Sequence, residues 1–200
     1  MNYPATLAVK AANQEVVDWV RRTGARHVAE FGIYRGYTSR AIACALPPEA
    51  TLDLFDFHTT LAPVMRRLER EPDVQCTVTG HGNTDRYLDS YCWSLMRVLE
   101  KHSDPIWDFV YVDGAHTWAV DGFAVLLTDR LLKPGGHIFL DDYRWTLAAS
   151  PSLRPKAFPL TARMYTDEQI NTPQVERIAS LLLERSGYEA VLPTKCWRKP

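Results

Sequence analysis

Apolar residues follow two patterns along the chain: short uninterrupted runs, and longer stretches in which they recur every three or four positions. The short runs predict buried strands, and the longer pattern predicts helices. Strands are predicted at residues 27–31, 51–55, 74–79, 109–112 and 137–140. The intervening helices are predicted at residues 38–45, 60–70, 85–101 and before the turn Pro134-Gly135-Gly136. This alternation predicts a doubly wound α/β fold, with a mostly parallel sheet and helices on both faces.

The two ends of the chain complete this prediction. Residues 7–22 have helical spacing, and Gly24 is suited to end that helix. Residues 145–172 contain several prolines and no clear period, so we interpret them as a loop or lid over the strand ends. Beyond them the pattern predicts a helix from Pro173 to about residue 186 and an antiparallel hairpin of residues 188–192 and 195–198. We therefore expect seven strands in a single domain of residues 1–200, in which residues 1–26 contribute the N-terminal helix.

The composition narrows the classes of function. The 200 residues carry a net charge of -1, and lysines and arginines are scattered, so we expect no nucleic-acid partner. No apolar run is long enough to span a bilayer, and the N-terminus lacks the pattern of a secretory signal, so we expect no membrane partner. The four cysteines lack C-x-x-C spacing, which favours reduced thiols in a cytoplasmic protein and argues against a zinc site.

Acidic residues follow two strands that a helical crossover makes parallel neighbours. Asp113 follows residues 109–112, and Asp141 and Asp142 follow residues 137–140. All three are expected at the edge where open α/β sheets bind ligands. Neighbouring carboxylates repel one another unless a cation lies among them, and oxygen ligands favour Mg²⁺, Mn²⁺ or Ca²⁺. The alternative is that Asp113 binds the small molecule while Asp141 and Asp142 cap the next helix.

Histidines and aromatic residues also fall near the predicted strand ends. His116 follows Asp113 by three positions, and a neutral imidazole beside a cation is suited to act as a general base. The alternative is an ordinary surface histidine. The sequence leaves open whether the remaining candidates contact a ligand or only pack; they are His58, His81, Tyr34, Tyr37, Trp118, Tyr143 and Trp145.

A glycine loop follows the first strand, from Gly32 to Gly36. Glycines allow close approach of a ligand, and the N–H groups at the following helix start can bind an anion. The spacing is not the G-x-G-x-x-G of dinucleotide sites and lacks the lysine of a P-loop, so an ordinary tight turn is the alternative. Glu30 favours a binding site, because a buried carboxylate is costly without a partner. Asp56, after the second strand, lies where doubly wound folds place an acid for ribose hydroxyls.

From about Val28 to Tyr143 the chain resembles the class I S-adenosylmethionine-dependent methyltransferases, which have a Rossmann-like sheet. The motifs that carry the resemblance are E-x-G-x-x-x-G after the first strand and the L-L-K-P-G-G turn before the fifth. The resemblance implies that the glycine loop holds the methionine part of the cofactor, that Asp56 holds the ribose and that the loop with Asn83 contacts the adenine side. The cofactor-binding residues it implies are Glu30, Gly32, Gly36, Thr38, Asp56, Asn83 and Asp113.

Within that family, the segments V-D-G-A-H and L-D-D-Y resemble the metal-dependent O-methyltransferases of the macrocin type, which act on sugars and other natural products. This resemblance implies Asp113, Asp141 and Asp142 as Mg²⁺ ligands, and His116 as the base beside Asp113. We therefore expect Mg²⁺-dependent methylation of a small-molecule hydroxyl, with a homo-oligomer left open. Two alternatives are a metal-independent methyltransferase and a non-catalytic cofactor-binding partner protein. A nicotinamide-dependent enzyme is a third, which the absent G-x-G-x-x-G disfavours.

Overall fold

The computed structural model describes residues 12–200. Its strands are β1 (His27–Phe31), β2 (Thr51–Phe57), β3 (Thr77–Asn83), β4 (Trp107–Val112), β5 (Leu132–Leu140), β6 (Glu189–Leu192) and β7 (Cys196–Arg198). They form one seven-stranded sheet in the order β3-β2-β1-β4-β5-β7-β6. The first five strands are parallel, and β7 is antiparallel to both β5 and β6. The predicted fold class, including the terminal antiparallel hairpin, is confirmed.

Helices connect these strands. They are α1 (Gln14–Thr23), α2 (Tyr37–Ala45), α3 (His58–Leu68), α4 (Tyr91–Lys101), α5 (Phe123–Leu131), α6 (Thr161–Met164), α7 (Asp167–Asn171) and α8 (Gln174–Ile178). A π-helical turn, Trp118–Gly122, leads into α5, and α8 continues through a π-helical turn and a 3₁₀ turn to Ser186. None of the helices in residues 12–200 has the length and apolar character needed to cross a membrane.

The sheet is covered by a hydrophobic core on each face. Residues of α1, α2 and α3, including Val17, Ile42 and Val64, pack on one face. Residues of α4, α5 and α8, including Leu95 and Ile178, pack on the other. Parallel strands buried on both faces are apolar along their length, which explains why β1 and β4 stand out in the sequence as uninterrupted apolar runs.

Three central strands end at the same level. Phe31, the last residue of β1, pairs with Val112 of β4, and Val112 pairs with Leu140 of β5. Phe31 also pairs with Phe55 on β2. The residues that follow these strands are therefore brought to one edge of the sheet, as the sequence predicts.

The third strand lies further along the chain than predicted. The prediction places it at residues 74–79 with a loop at 80–84, whereas β3 covers Thr77–Asn83 and pairs with β2 along its length. Two glycines in this stretch argue against a strand in the sequence, because glycine weakens strand interiors. In the structure a Cβ on Gly82 would lie 3.2 Å from His58, so the close approach of α3 explains that glycine.

Two helices begin later than predicted. Of the predicted N-terminal helix, residues 7–11 lie outside the described residues, and α1 begins at Gln14 because the side chain of Asn13 caps it by accepting a bond from the Val16 amide. The predicted helix at 85–101 begins only at Tyr91, after the N-cap Ser90. Polar side chains that bond to nearby backbone amides fix both starts.

Residues 145–172 are more ordered than the predicted loop. They contain α6 and α7, and Thr166 and Gln169 form a reciprocal capping box at the start of α7. Leu147 and Ile170 are buried, and the Ala148 amide donates to the Ile170 carbonyl at 3.0 Å. The segment thus contains two short helices, buried apolar residues and a backbone hydrogen bond that joins its two ends.

At Gly32 the loop after β1 crosses the backbone that follows β4. Gly32 has a φ of +82°, and a Cβ there would lie 2.1 Å from the Asp113 carbonyl oxygen and 2.7 Å from the Gly114 Cα. Its amide donates to the Phe55 carbonyl at 2.9 Å, which fixes the loop from the other side. No side chain fits at this position unless one of these backbones moves.

We therefore expect Gly32→Ala to lower the free energy of unfolding by on the order of 3 kcal/mol, because it adds a backbone clash to left-handed strain. Urea denaturation measures the loss. Gly24→Ala is the matched control, since Gly24 also has a positive φ, +65°, but no atom lies within 4 Å of the place that its Cβ would take. Its cost should be about 1 kcal/mol. Equal losses in the two variants would show that the crossing is not tight.

Candidate functional site at the carboxyl edge of the sheet

Asp113 and Asp141 extend the strand hydrogen bonds one residue beyond β4 and β5. The Asp113 amide donates to the Phe31 carbonyl at 2.8 Å, and the Asp141 amide donates to the Val112 carbonyl at 2.9 Å. Both acids therefore start from fixed backbone positions on neighbouring strands. What differs between them is the set of groups that their side chains contact.

Asp113, His116 and Asp142 form a cluster. The Nε2 of His116 lies 3.6 Å from Asp113 Oδ1 and 3.3 Å from Asp142 Oδ2. One potential ligand atom from each residue lies within 4.8 Å of the other two, and all three residues are partly buried. Such a group can hold a divalent cation, or it can stabilise a protonated imidazole between two carboxylates.

Asp141 makes a different set of contacts. Its Oδ2 accepts hydrogen bonds from the Tyr111 hydroxyl at 2.8 Å and from Asn13 Nδ2 at 3.4 Å, while its Oδ1 accepts one from the Asp142 amide at 3.0 Å. Tyr111 Oη also lies 3.1 Å from Asp113 Oδ2. Of the three predicted ligands, the structure brings Asp113 and Asp142 together with His116 and places Asp141 in a network with Tyr111 and Asn13.

The loop that carries His116 is held in an uncommon conformation. His116 and Asp142 have φ values of +55° and +52°, in the left-handed region that non-glycine residues rarely adopt. Asp121 fixes this loop, because its carboxylate accepts hydrogen bonds from the Tyr91 hydroxyl, from the Ala115 amide at 3.1 Å and from the His116 amide at 2.6 Å. Burial raises the pKa of Asp121 to about 7, although the two backbone donors oppose this rise.

Glu30 lies near the end of β1 and is only 1% exposed. Burial raises the pKa of its carboxyl to about 8; the Ser39 hydroxyl opposes the rise, and the negative charges of Asp113 and Asp56 add to it. Within residues 12–200, Glu30 Oε2 has no hydrogen-bond partner. An unpaired buried acceptor of this kind costs stability, and a polar ligand that donates to it would remove that cost.

Asp56 organises the glycine loop. Its Oδ2 accepts hydrogen bonds from the amides of Ile33 at 2.8 Å and Tyr34 at 3.1 Å, and its Oδ1 accepts one from the Phe57 amide at 2.6 Å. The predicted ribose acid therefore also braces the loop that is predicted to hold the rest of the cofactor. Each carboxylate oxygen has further lone pairs with which to accept a bond from a ligand.

The remaining predicted cofactor residues lie around this loop. Gly36 begins α2 with a φ of +69°, and a Cβ there would lie 2.5 Å from Val64 Cγ1. Thr38 Oγ1 accepts a hydrogen bond from the Asn13 amide at 3.0 Å. Asn83 ends β3 as a buried residue; its Nδ2 donates to the Thr84 carbonyl at 3.1 Å, but its Oδ1 has no partner among the described residues.

The two weaker histidine candidates lie outside this cluster. His58 begins α3. His81 lies in β3, where its Nε2 is 2.8 Å from Asp53 Oδ1 and its ring stacks on Phe55 with centroids 4.3 Å apart. His81 also lines a groove of about 390 Å³ between β3 and α4, and no residue predicted to hold cofactor or cation lines that groove.

One of the five aromatic candidates contacts the cluster. The ring of Trp145 packs edge-on against His116, with centroids 5.2 Å apart. Tyr143 instead stacks on Trp197, and Tyr34, Tyr37 and Trp118 are exposed.

Sequence reasoning missed Asn13, Tyr111 and Asp121. Tyr111 had a usable signal, because it precedes Asp113 by two residues in a strand and such residues share a face. Asp121 had a weaker signal: it is an acid beside Gly122 in a predicted helix, and no basic residue lies three or four positions from it. The contacts of Asn13 have no local signal, since they join it to residues 98 and 128 positions away.

Comparison with protein families and solved structures places this edge in context. A family model described as a methyltransferase domain matches residues 29–143, which is more than half of the chain and contains every predicted site residue. No curated protein matches the chain in sequence.

Solved structures share the fold at low sequence identity. An O-methyltransferase from Bacillus cereus in complex with SAH is 17% identical with a TM-score of 0.60, covering 90% of this chain and 72% of its own. The O-methyltransferase TomG from Streptomyces achromogenes, involved in tomaymycin synthesis and bound to SAM, is 20% identical with a TM-score of 0.62, covering 92% and 73%. The SAH-bound methyltransferase PaMTH1 from Podospora anserina is 15% identical with a TM-score of 0.58, covering 92% and 75%.

The family match includes the glycine loop, Asp56 and the acids after β4 and β5, and the solved relatives share the sheet that aligns them. The chain therefore belongs to the methyltransferase-domain family, and its resemblance to the class I S-adenosylmethionine-dependent methyltransferases is confirmed.

Proposed function

We propose that the protein transfers a methyl group from S-adenosylmethionine to the hydroxyl of a small molecule, a sugar or another natural product, with the help of a divalent cation such as Mg²⁺. The observation that carries this proposal is the cluster of Asp113, His116 and Asp142 at the same sheet edge as Glu30. A proton acceptor and two carboxylates, beside the residues assigned to the cofactor, are groups that a cation-assisted O-methyl transfer needs.

The residues around β1 and β3 fit the cofactor. Glu30 Oε2 and Asn83 Oδ1 are buried acceptors without a partner among the described residues, and a ligand with amino groups at both ends would satisfy them. We assign the methionine part to Glu30, Gly32, Gly36 and Thr38, the ribose to Asp56, and the adenine side to Asn83. The complexes of the Bacillus cereus and Streptomyces achromogenes O-methyltransferases with SAH and SAM support this choice of cofactor.

The acidic edge fits a hard divalent cation. Asp113 and Asp142 offer carboxylate oxygens, the donors that Mg²⁺ and Mn²⁺ prefer. Asp141, the third ligand suggested by the family resemblance, accepts a hydrogen bond from Tyr111, and its carboxylate keeps lone pairs with which it could also bind the cation. When bound, the cation supplies positive charge that lowers the pKa of the acceptor hydroxyl.

In the proposed reaction, His116 Nε2 takes the proton of the acceptor hydroxyl. Asp113 and Asp142, within 3.6 Å of that nitrogen, stabilise the imidazolium that forms. The loop after β1 and the loop after β4 hold the two reactants in line, because they touch at Gly32. Most of the rate gain would come from this alignment.

His116 has a second candidate role as a ligand of the cation, favoured by the position of its Nε2 within the cluster. The two roles predict different defects in a His116 variant, which makes them separable by experiment.

We further propose that residues 145–172 cover the acceptor. Trp145 opens this segment and packs against His116, so its ring is placed to form one wall of an acceptor pocket. Involvement of TomG in tomaymycin synthesis supports a natural-product acceptor in general terms. The proposal leaves open whether the protein works as a homo-oligomer.

Affinity for S-adenosylhomocysteine should rise with pH between 6 and 8, by roughly tenfold per pH unit, because binding of its ammonium group favours an ionised Glu30 whose pKa is about 8 in the free protein. Calorimetry at a series of pH values measures this rise. Glu30→Gln should bind weakly at every pH, with a flat profile. A steep profile in that variant would assign the titration to another group.

The stability of the free protein should show the opposite slope. Burial raises the pKa of Glu30 from 4.5 to about 8, so the folded state holds a proton that the unfolded state releases. This stabilisation is complete below pH 4.5 and is lost as pH rises to about 8. Glu30→Gln should therefore be more stable than the wild type at pH 8.5, by on the order of 4 kcal/mol. In Glu30→Gln a smaller decline of stability with rising pH should remain, because burial raises the pKa of Asp121 to about 7.

Methyl transfer should depend on a divalent cation. Release of S-adenosylhomocysteine from S-adenosylmethionine, measured over a panel of phenolic and sugar hydroxyl compounds, should stop after chelation and dialysis and return with Mg²⁺ or Mn²⁺. Asp142→Ala should lose this response while binding S-adenosylhomocysteine normally. Turnover that survives chelation would support the metal-independent alternative, and absence of cofactor binding would support the non-catalytic one.

His116→Gln separates the two roles of the histidine. If His116 is the base, turnover should fall by roughly 100-fold or more while Mn²⁺ affinity stays unchanged. If His116 is a ligand, Mn²⁺ affinity itself should fall. Normal turnover and normal Mn²⁺ affinity would exclude both roles.

A further inference from the structure

The hydroxyl of Tyr111 lies between two of the acids at the sheet edge. It is 2.8 Å from Asp141 Oδ2 and 3.1 Å from Asp113 Oδ2. The side chain is 1% exposed, and its ring packs against Phe139 in a T-shaped contact with centroids 6.0 Å apart. A hydroxyl on a buried ring has a fixed position, so it can act as an anchor for flexible carboxylates.

The two oxygens of Asp113 contact different partners. Oδ2 lies against the Tyr111 hydroxyl, whereas Oδ1 is the oxygen nearest to His116. The Asp113 carboxylate thus contacts Tyr111 through one oxygen and the cluster through the other. Without the hydroxyl, Oδ2 would lose this hydrogen bond and would be repelled more strongly by Asp141 Oδ2.

Asn13 completes the arrangement. Its Nδ2 donates to Tyr111 Oη at 3.3 Å and lies 3.4 Å from Asp141 Oδ2. Since a phenol carries one proton and can give it to one carboxylate at a time, the amide supplies a second donor at the same place. The side-chain donors to Asp141 Oδ2 are thus two neutral groups, the Tyr111 hydroxyl and the Asn13 amide.

We propose that Tyr111 is a positioning residue for the cation site, acting through its contacts with Asp113 and Asp141. The hydroxyl holds Asp113 so that Oδ1 faces the site shared with His116 and Asp142. This inference rests on the proposed function, because it takes cation binding at that site as given.

The effect should resemble that of other groups that orient a metal ligand through a hydrogen bond, whose removal typically lowers metal affinity by roughly 10- to 100-fold. Tyr111→Phe removes only the hydroxyl. Tyr188→Phe is the matched control, since Tyr188 is also buried and donates to a carboxylate, Asp129 Oδ1 at 2.8 Å, away from the acidic edge.

The experiment is a titration of each purified full-length protein with Mn²⁺, followed by electron paramagnetic resonance of the free ion. Tyr111→Phe should bind Mn²⁺ roughly 10- to 100-fold more weakly than the wild type, whereas Tyr188→Phe should bind normally even if the two variants lose equal thermal stability. S-Adenosylhomocysteine affinity in metal-free buffer should remain unchanged in both, which separates a local effect from misfolding.

Asn13→Ala is a second variant, which tests the proposal if Tyr111→Phe does not fold. It removes the side-chain amide that donates to Tyr111 Oη and to Asp141 Oδ2, so Mn²⁺ affinity should fall, by less than in Tyr111→Phe. Normal Mn²⁺ affinity in Tyr111→Phe, or in Asn13→Ala where Tyr111→Phe does not fold, would overturn the proposal. A wild-type protein that binds no Mn²⁺ would remove the cation from the proposed function as well.

Discussion

Repulsion among carboxylates that share one edge of a parallel sheet is the constraint on which the rest of the site depends. The aligned ends of β1, β2, β4 and β5 bring five acids to this edge: Glu30, Asp56, Asp113, Asp141 and Asp142. Three of them are accommodated by the protein itself. Burial favours the neutral form of Glu30, three backbone amides surround Asp56, and the Tyr111 hydroxyl and the Asn13 amide donate to Asp141. Asp113 and Asp142 instead face an imidazole, which makes their position the natural place for a positive charge.

This distribution of charge divides the edge into two halves that meet at Gly32. On one side lie the groups assigned to the cofactor, and on the other lie the proposed cation site and the proposed base. The missing side chain lets the two loops touch through their backbones, so a displacement of one loop is passed directly to the other. Asp56 and Asp121 brace the two loops separately, because each carboxylate accepts hydrogen bonds from backbone amides of one loop. In the proposed reaction, the alignment of the two reactants would depend on this backbone geometry.

The sequence predicts the sheet and its polar edge well, because both depend on local patterns. The bounds predicted for β1 match those of the structure, and the acids after β4 and β5 lie at one level since parallel neighbours share a register. The prediction places β3 too early, because Gly80 and Gly82 conceal a strand that packs on α3 at these same two positions. It also treats Asp141 and Asp142 as equivalent, whereas the left-handed backbone of Asp142 sends the two side chains to different partners. The left-handed conformation of Asp142 and the contacts of Asn13 with residues more than 90 positions away follow from tertiary packing alone.

Residues 145–172, whose structure the sequence predicts least well, are also the residues that would select the acceptor in the proposed function. In the proposed function, Glu30, Asp113 and His116 act on the cofactor and on a hydroxyl oxygen, groups that are common to all reactions of such an enzyme. Discrimination among substrates has to come from walls that contact the rest of the acceptor, and Trp145 is the one aromatic candidate in contact with His116 among the described residues. It belongs to residues 145–172, a segment outside the sheet in which Leu147 and Ile170 are buried and a capping box begins α7. Such a segment can change its side chains without disturbing the acids, so one acidic edge can serve different acceptors.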